Sequence, residues 1–164
     1  MTLLELSQWL EETGPAVLVR ESIYGFQILV GVHLFGIILS VGALMWLDLR
    51  MMGLTMRSAR VSELNRSLAP WFLIGFAMMF ASGLLLFAGF ATAAYGNLFF
   101  RIKMAVIVLA GLNALYFHFT TGRTQPHWDA MAEPPAAVRV AGLASLVMWS
   151  IVILAGRMMS YTMF

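Results

Sequence analysis

SLAPWFLIGFAMMFASGLLLFAGFATAAYGNLFF, residues 67–100, runs for 34 positions without an Asp, Glu, Lys or Arg. About 20 apolar residues in helical form cross the hydrocarbon of a bilayer. This stretch therefore holds one full span, with enough left over for a connection. Three more charge-free runs accompany it: residues 22–47, 104–122 and 140–156, of 26, 19 and 17 positions. The fold expected is an all-α membrane protein, a bundle of four transmembrane helices over about 23–47, 70–92, 99–119 and 137–159. It fills the chain as a single integral membrane domain.

The composition agrees with that reading. Of 164 residues 61% are hydrophobic and 11% charged, against roughly 45–50% and 25% in soluble domains. A soluble enzyme, a nucleic-acid binder and a disordered linker are excluded, and too little lies outside the spans for a large catalytic domain. There is no cysteine, which removes thiolate catalysis, iron–sulfur ligation and disulfides. The first residues, Met1-Thr2-Leu3-Leu4-Glu5, place an acid where a secretory signal carries positive charge.

Ahead of the spans, residues 2–13 read as a short amphipathic helix lying at the membrane surface. Leu3, Leu6 and Leu10 share one face, and Glu5, Gln8 and Glu12 another. Thr2 and Glu5 have capping-box spacing, and Gly14-Pro15 is expected to end the segment. Pro70 is expected in the first turn of the second span. The connections expected are an arginine-rich stretch over 48–66, a tight turn at Tyr95-Gly96-Asn97 and a proline-containing loop over 120–136.

Basic residues near the span ends set the orientation. Arg50, Arg57, Arg60, Arg66, Arg123 and Arg139 fall on one side, and Arg20, Arg101, Lys103 and Arg157 on the other. The first group belongs in the cytoplasm of a bacterial inner membrane, which turns both termini outward. Small residues recur at Gly75, Ser82 and Gly89, at Gly36 and Ser40, and at Gly142 and Ser145. Such faces let helix backbones approach closely. Because several stripes cannot share one groove, a homo-oligomer is expected, most simply a dimer.

Polar groups within membrane spans are costly and mark function. His33 lies well inside the first span, and Gly36 and Ser40 leave its face thin. An imidazole beside missing side-chain volume suits haem: a nitrogen for the iron and room for the ring edge. The competing reading is a buried histidine bonded to a neighbouring helix. Lys103, the sole lysine, falls on the same half of the membrane, with Arg101 and Arg157 close to that surface. Together they would neutralise haem propionates, or each would snorkel to the interface. His118, near the far end of the third span after Asn113 and Tyr116, would serve a second haem or a quinone carbonyl, or be an interfacial polar residue. One iron does not bridge His33 and His118, since their depths differ by about 13 Å at 1.5 Å per residue. His127 belongs in solvent. The thirteen methionines fall partly in adjacent pairs that point to different faces, which fits packing better than copper binding.

Several motifs carry a resemblance. His33-Leu34-Phe35-Gly36 runs on to Asp48-Leu49-Arg50-Met51-Met52-Gly53-Leu54. Pro70-Trp71, Gly75-Phe76 and Ser82-Gly83-Leu84-Leu85-Leu86-Phe87 follow. Phe100-Arg101-Ile102-Lys103 and Leu112-Asn113-Ala114-Leu115-Tyr116-Phe117-His118 complete the set. In this order they resemble a family of uncharacterised bacterial four-helix inner-membrane proteins. A histidine on the first span with a lysine early on a later one is also similar to the membrane protoporphyrinogen oxidases, thought to carry haem b, and to the copper-resistance D proteins. That likeness implies a haem ligand in His33 and an essential cation in Lys103. Three functions are open at this point. The first is a small b-type cytochrome for electron transfer or redox sensing, with a redox partner. The others are a haem- or quinone-linked oxidoreductase and a cofactor-free scaffold subunit.

Overall fold

The computed structural model describes residues 2–163, and among them every regular element is helical. The order is α1 Leu3–Glu11, α2 Gly14–Glu21, α3 Gly25–Met51, α4 Val61–Gly89, α5 Ala91–Gly96, α6 Leu98–Phe119, α7 Gln125–Trp128 and α8 Ala136–Met163. Helices α3, α4, α6 and α8 are long and apolar enough to cross a membrane, so the chain is a multi-pass membrane protein with a four-helix transmembrane core.

The capping box at the start is formed. Thr2 Oγ1 accepts the Glu5 amide at 3.2 Å, and the Glu5 carboxylate accepts the Thr2 amide at 2.9 Å. Gly14-Pro15 does more than end α1. Thr13 is the N-cap of a second helix, α2, in whose first turn Pro15 sits, where a missing N–H leaves no intrahelical bond unmade. Both short helices are tied to the end of α4. Glu11 accepts the Thr92 amide at 2.7 Å, capping α5, and Arg20 donates to the Gly89 carbonyl at 3.4 Å while lying 3.9 Å from Glu11.

The second span is longer than its apolar run. Helix α4 starts at Val61, nine residues before Pro70, so Pro70 is interior and not first-turn. Proline there withholds an N–H from the Arg66 carbonyl. Both residues are exposed, so the helix tolerates the loss. Helix α3 likewise runs past Leu47 to Met51. The 120–136 connection is also more ordered than a plain loop: a 3₁₀ turn over Thr121–Thr124 leads into α7.

Glycine decides how the spans meet. A Cβ at Gly36 would lie 2.7 Å from the Met79 nitrogen, and one at Gly75 would lie 2.5 Å from the Ser40 nitrogen. The backbones of α3 and α4 are thus in direct contact. Helix α8 joins α3 at Gly142, where a Cβ would stand 3.0 Å from the Asp48 carbonyl. Helix α6 packs on α8, and Asn113 donates to the Ala141 carbonyl at 3.1 Å. The spatial order is α4–α3–α8–α6. Helices α4 and α6 share no extended interface, and Phe87 and Phe100 stack between them with centroids 5.3 Å apart. The bundle is open along that side.

The small-residue stripes from which a homo-oligomer was expected are used inside the chain. Gly75 faces α3, Gly89 faces Val19 of α2, and Gly142 faces α3. At the arginine-rich end Met51, Val61, Trp128, Val138 and Ala141 form a buried cluster, with Leu47 and Phe117 against it.

Candidate functional site

His33 lies eight residues into α3, about 12 Å along its axis. Its Nδ1 is 3.0 Å from Ser82 Oγ on α4. Ser82, only 2% exposed, donates its own hydrogen back to the Met78 carbonyl at 2.5 Å, with the Met79 carbonyl at 3.2 Å. A hydroxyl has one hydrogen. With that hydrogen on a carbonyl, Ser82 Oγ accepts from Nδ1–H, and the hydrogen-bond network assigns the tautomer. Nε2 keeps its lone pair. An outer partner fixing one ring nitrogen while the other stays free is the arrangement found around metal-bound histidines.

Gly83 lets the ring lie this close to α4, since a Cβ there would be 3.1 Å from His33 Cε1. Lys103 reaches in from α6 across Gly156 of α8, whose Cβ would be 3.6 Å from Nζ. The ammonium is near enough for its charge to act on the imidazole. It makes no hydrogen bond or ion pair among the described residues. Two inter-span contacts result: His33 with Ser82 and Gly83 joins α3 to α4, and Lys103 against Gly156 joins α6 to α8.

The other residues expected here are elsewhere. Arg101 is exposed, donates to the Tyr95 carbonyl at 3.0 Å and lies over the Tyr95 ring. Two positions before Lys103 it points about 200° away around the helix. Arg157 is also exposed and donates to the Tyr161 hydroxyl at 2.7 Å. The convergence of three cations on His33 reduces to Lys103. Gly36 and Ser40 do not leave room for a ring edge, because α4 fills that space. Ser40 donates to the Gly36 carbonyl at 2.7 Å. His118 is exposed near the end of α6, edge-on to Phe119, and His127 is exposed on α7.

Ser82, Gly83 and Gly156 are the site residues that sequence reasoning did not single out. Ser82 stood in the Gly75/Ser82/Gly89 stripe and read as packing. Its position opposite His33 depends on the register that the Gly36–Gly75 contact imposes.

Residues 19–162 match the model of a family described as a family of unknown function (DUF6644), and the chain belongs to it. Neither the curated proteins nor the solved structures provide a match.

Proposed function

We propose that this family member is a small b-type membrane cytochrome in which His33 would hold haem b through Nε2 and Lys103 would pair with a haem carboxylate. The observation that carries the reading is the His33–Ser82 bond, which fixes Nδ1 as the donor, together with a half-buried ammonium that makes no ion pair among the described residues. The residues fit the group in kind: an imidazole nitrogen for iron, a cation for a carboxylate, and glycines on two walls. Haem b would supply one-electron exchange for electron transfer or redox sensing. The chain's own work is to hold the tautomer through Ser82, neutralise charge through Lys103 and keep water away with apolar spans. The six-arginine end belongs in the cytoplasm of a bacterial inner membrane, which puts His33 in the outer half.

Optical spectra of the purified protein, oxidised and reduced, test this. A Soret band is expected from haem-replete cells and is lost in His33→Ala. A colourless wild type, or a band that His33→Ala retains, overturns it.

The open side between α4 and α6 favours a second reading, a haem- or quinone-linked oxidoreductase whose acidic or carbonyl-bearing substrate arrives through the lipid phase. Lys103 then binds that substrate. Turnover in membranes that survives both His33→Ala and Lys103→Ala rejects this mechanism.

A further inference from the structure

Asp48 occupies the last turn of α3 and is 3% exposed. Its Oδ2 is buried without a hydrogen-bond partner. Helix α8 closes over it: Gly142 brings the two backbones together, and the Ser145 hydroxyl faces the carboxyl. Asp48 forms no ion pair among the described residues. The nearest cation in sequence, Arg50, forms no ion pair with it among the described residues; it donates from Nε to the Ala59 carbonyl at 2.8 Å and from Nη2 to the Met131 carbonyl at 2.9 Å, and its Nη1 is buried without a partner. On the packed elements, Arg139 of α8, Glu63 and Arg66 of α4, and His118 of α6 are all exposed.

Three physical costs fall on an ionised carboxylate in that position. It is removed from water, and one of its oxygens accepts nothing. No ion pair among the described residues offsets it. It also sits at the C-terminal end of a helix, where the backbone dipole is already negative. One serine hydroxyl does not offset all three. Taking up a proton removes the charge and with it each of these costs.

We propose that Asp48 and Ser145 form a proton-binding site at the arginine-rich end of the bundle, the carboxyl residing between α3 and α8 as the neutral acid. The exchange is one proton between the carboxylate and the aqueous phase, with no bond other than O–H made or broken. The site is independent of haem at His33, fifteen residues or about 22 Å away along α3, and it stands if that reading fails. It gives the protein a place to take up a proton from the side where the arginines lie.

The chain contains two aspartates, Asp48 and Asp129, which makes a direct assignment practicable. Infrared spectra of the full chain in liposomes, with carboxyl-¹³C aspartate, separate the C=O stretch of the acid from the bands of carboxylate. At neutral pH a label-sensitive acid band is expected. It persists in Asp129→Asn, disappears in Asp48→Asn and shifts in Ser145→Ala. If Asp48→Asn does not fold, the labelled Asp129→Asn protein alone decides the matter. Label intensity found wholly in the carboxylate bands at neutral pH overturns the proposal, as does an acid band that belongs to Asp129.

Discussion

The two ends of this bundle hold their inward-facing cations in different ways. At the arginine-rich end Arg50, fully buried, is attached to the carbonyls of Ala59 and Met131 on two different loops. Gly53, at φ +72, brings its turn against the Ala132 carbonyl and Pro134, a backbone conformation glycine adopts at little cost. Asp129 then fastens α7 to the start of α4. Away from that end, Lys103 makes no hydrogen bond or ion pair among the described residues, His33 is held by Ser82, and glycines stand where side chains would have covered them. A cation that reaches two loop carbonyls, as Arg50 does through Nε and Nη2 while Nη1 has no partner, ties loops together. One left with an unpaired charge inside a membrane protein is available for a ligand.

The largest effect expected is at the crossing that sets the register of both ends. In Gly75→Leu the new side chain meets Ser40 backbone, which does not swing aside, so α3 and α4 separate. Loss of folded, monodisperse protein in detergent is the expected result. Gly31→Leu is the control, since a Cβ at Gly31 meets nothing within 4 Å and the side chain projects into lipid. Equal yields from the two variants would show that the Gly36–Gly75 contact does not hold the spans together.

Next in size is Arg50→Ala, which strands two carbonyls and removes a buried side chain from between the loops. Charge-assisted hydrogen bonds contribute about 1.5–3 kcal/mol each, so a loss of about 3 kcal/mol is expected in denaturant-induced unfolding. Proteolysis should open first near residues 53–60 and 129–134, while any haem spectrum is unchanged. A spectrum that changes as much as stability would mean the two ends are not separable.

Much of this was legible before the structure because charge-free length alone locates spans. The same logic misled at their edges. Asp48 and Arg50 marked where the first span stopped, since a reading by composition puts every charge in water. The bundle end buries them instead, because two loops bring carbonyls to Arg50 and α8 covers Asp48. His33 and Lys103 were visible as rare polar residues in apolar runs. Their partners were not, because serine and glycine are ordinary in membrane helices and acquire meaning only once helix register is known. Arg101 and Arg157 failed for a related reason: depth was counted and angular position on the helix was not.

Smaller in stability but sharper in meaning are Gly83→Ala and Ser82→Ala. The first places a methyl group 3.1 Å from His33 Cε1 and moves the ring, with little effect on the rest of α4. The second removes the acceptor that orients Nδ1–H. Loss of such an outer partner weakens metal binding by about 10–100-fold, while the hydrogen bond itself contributes about 1 kcal/mol to stability. Haem titration into the apo-protein should therefore respond much more than the unfolding midpoint does. An unchanged haem affinity in Ser82→Ala would break the contrast, leaving His33 as a packing histidine like any other.

The smallest effect lies outside the membrane, at Asp129. Partial burial pushes its carboxyl up, but this is outweighed by the Ser62 hydroxyl and amide, by Gln125 and by the nearby Arg60 charge, so the group is held below its ordinary value of 3.8. A carboxyl depressed in the fold stabilises it fully above the unfolded value, and that contribution is lost as pH falls through the folded value. The Ser62 amide and hydroxyl donate to this carboxylate at 2.7 Å and 2.5 Å, and protonation weakens both. Limited proteolysis between residues 120 and 135, followed with an acid-tolerant protease, should be flat from neutral pH down to about 4 and quicken below it. Asp129→Asn should cleave faster than wild type at neutral pH and change little on acidification. Because the group is half-buried at the end of the bundle and still reached by solvent, screening keeps the difference small, and global unfolding should scarcely register it. A wild type whose cleavage rate does not depend on pH, with Asp129→Asn cleaved at the same rate, would mean that α7 is held by Trp128 in its apolar cluster and not by the aspartate.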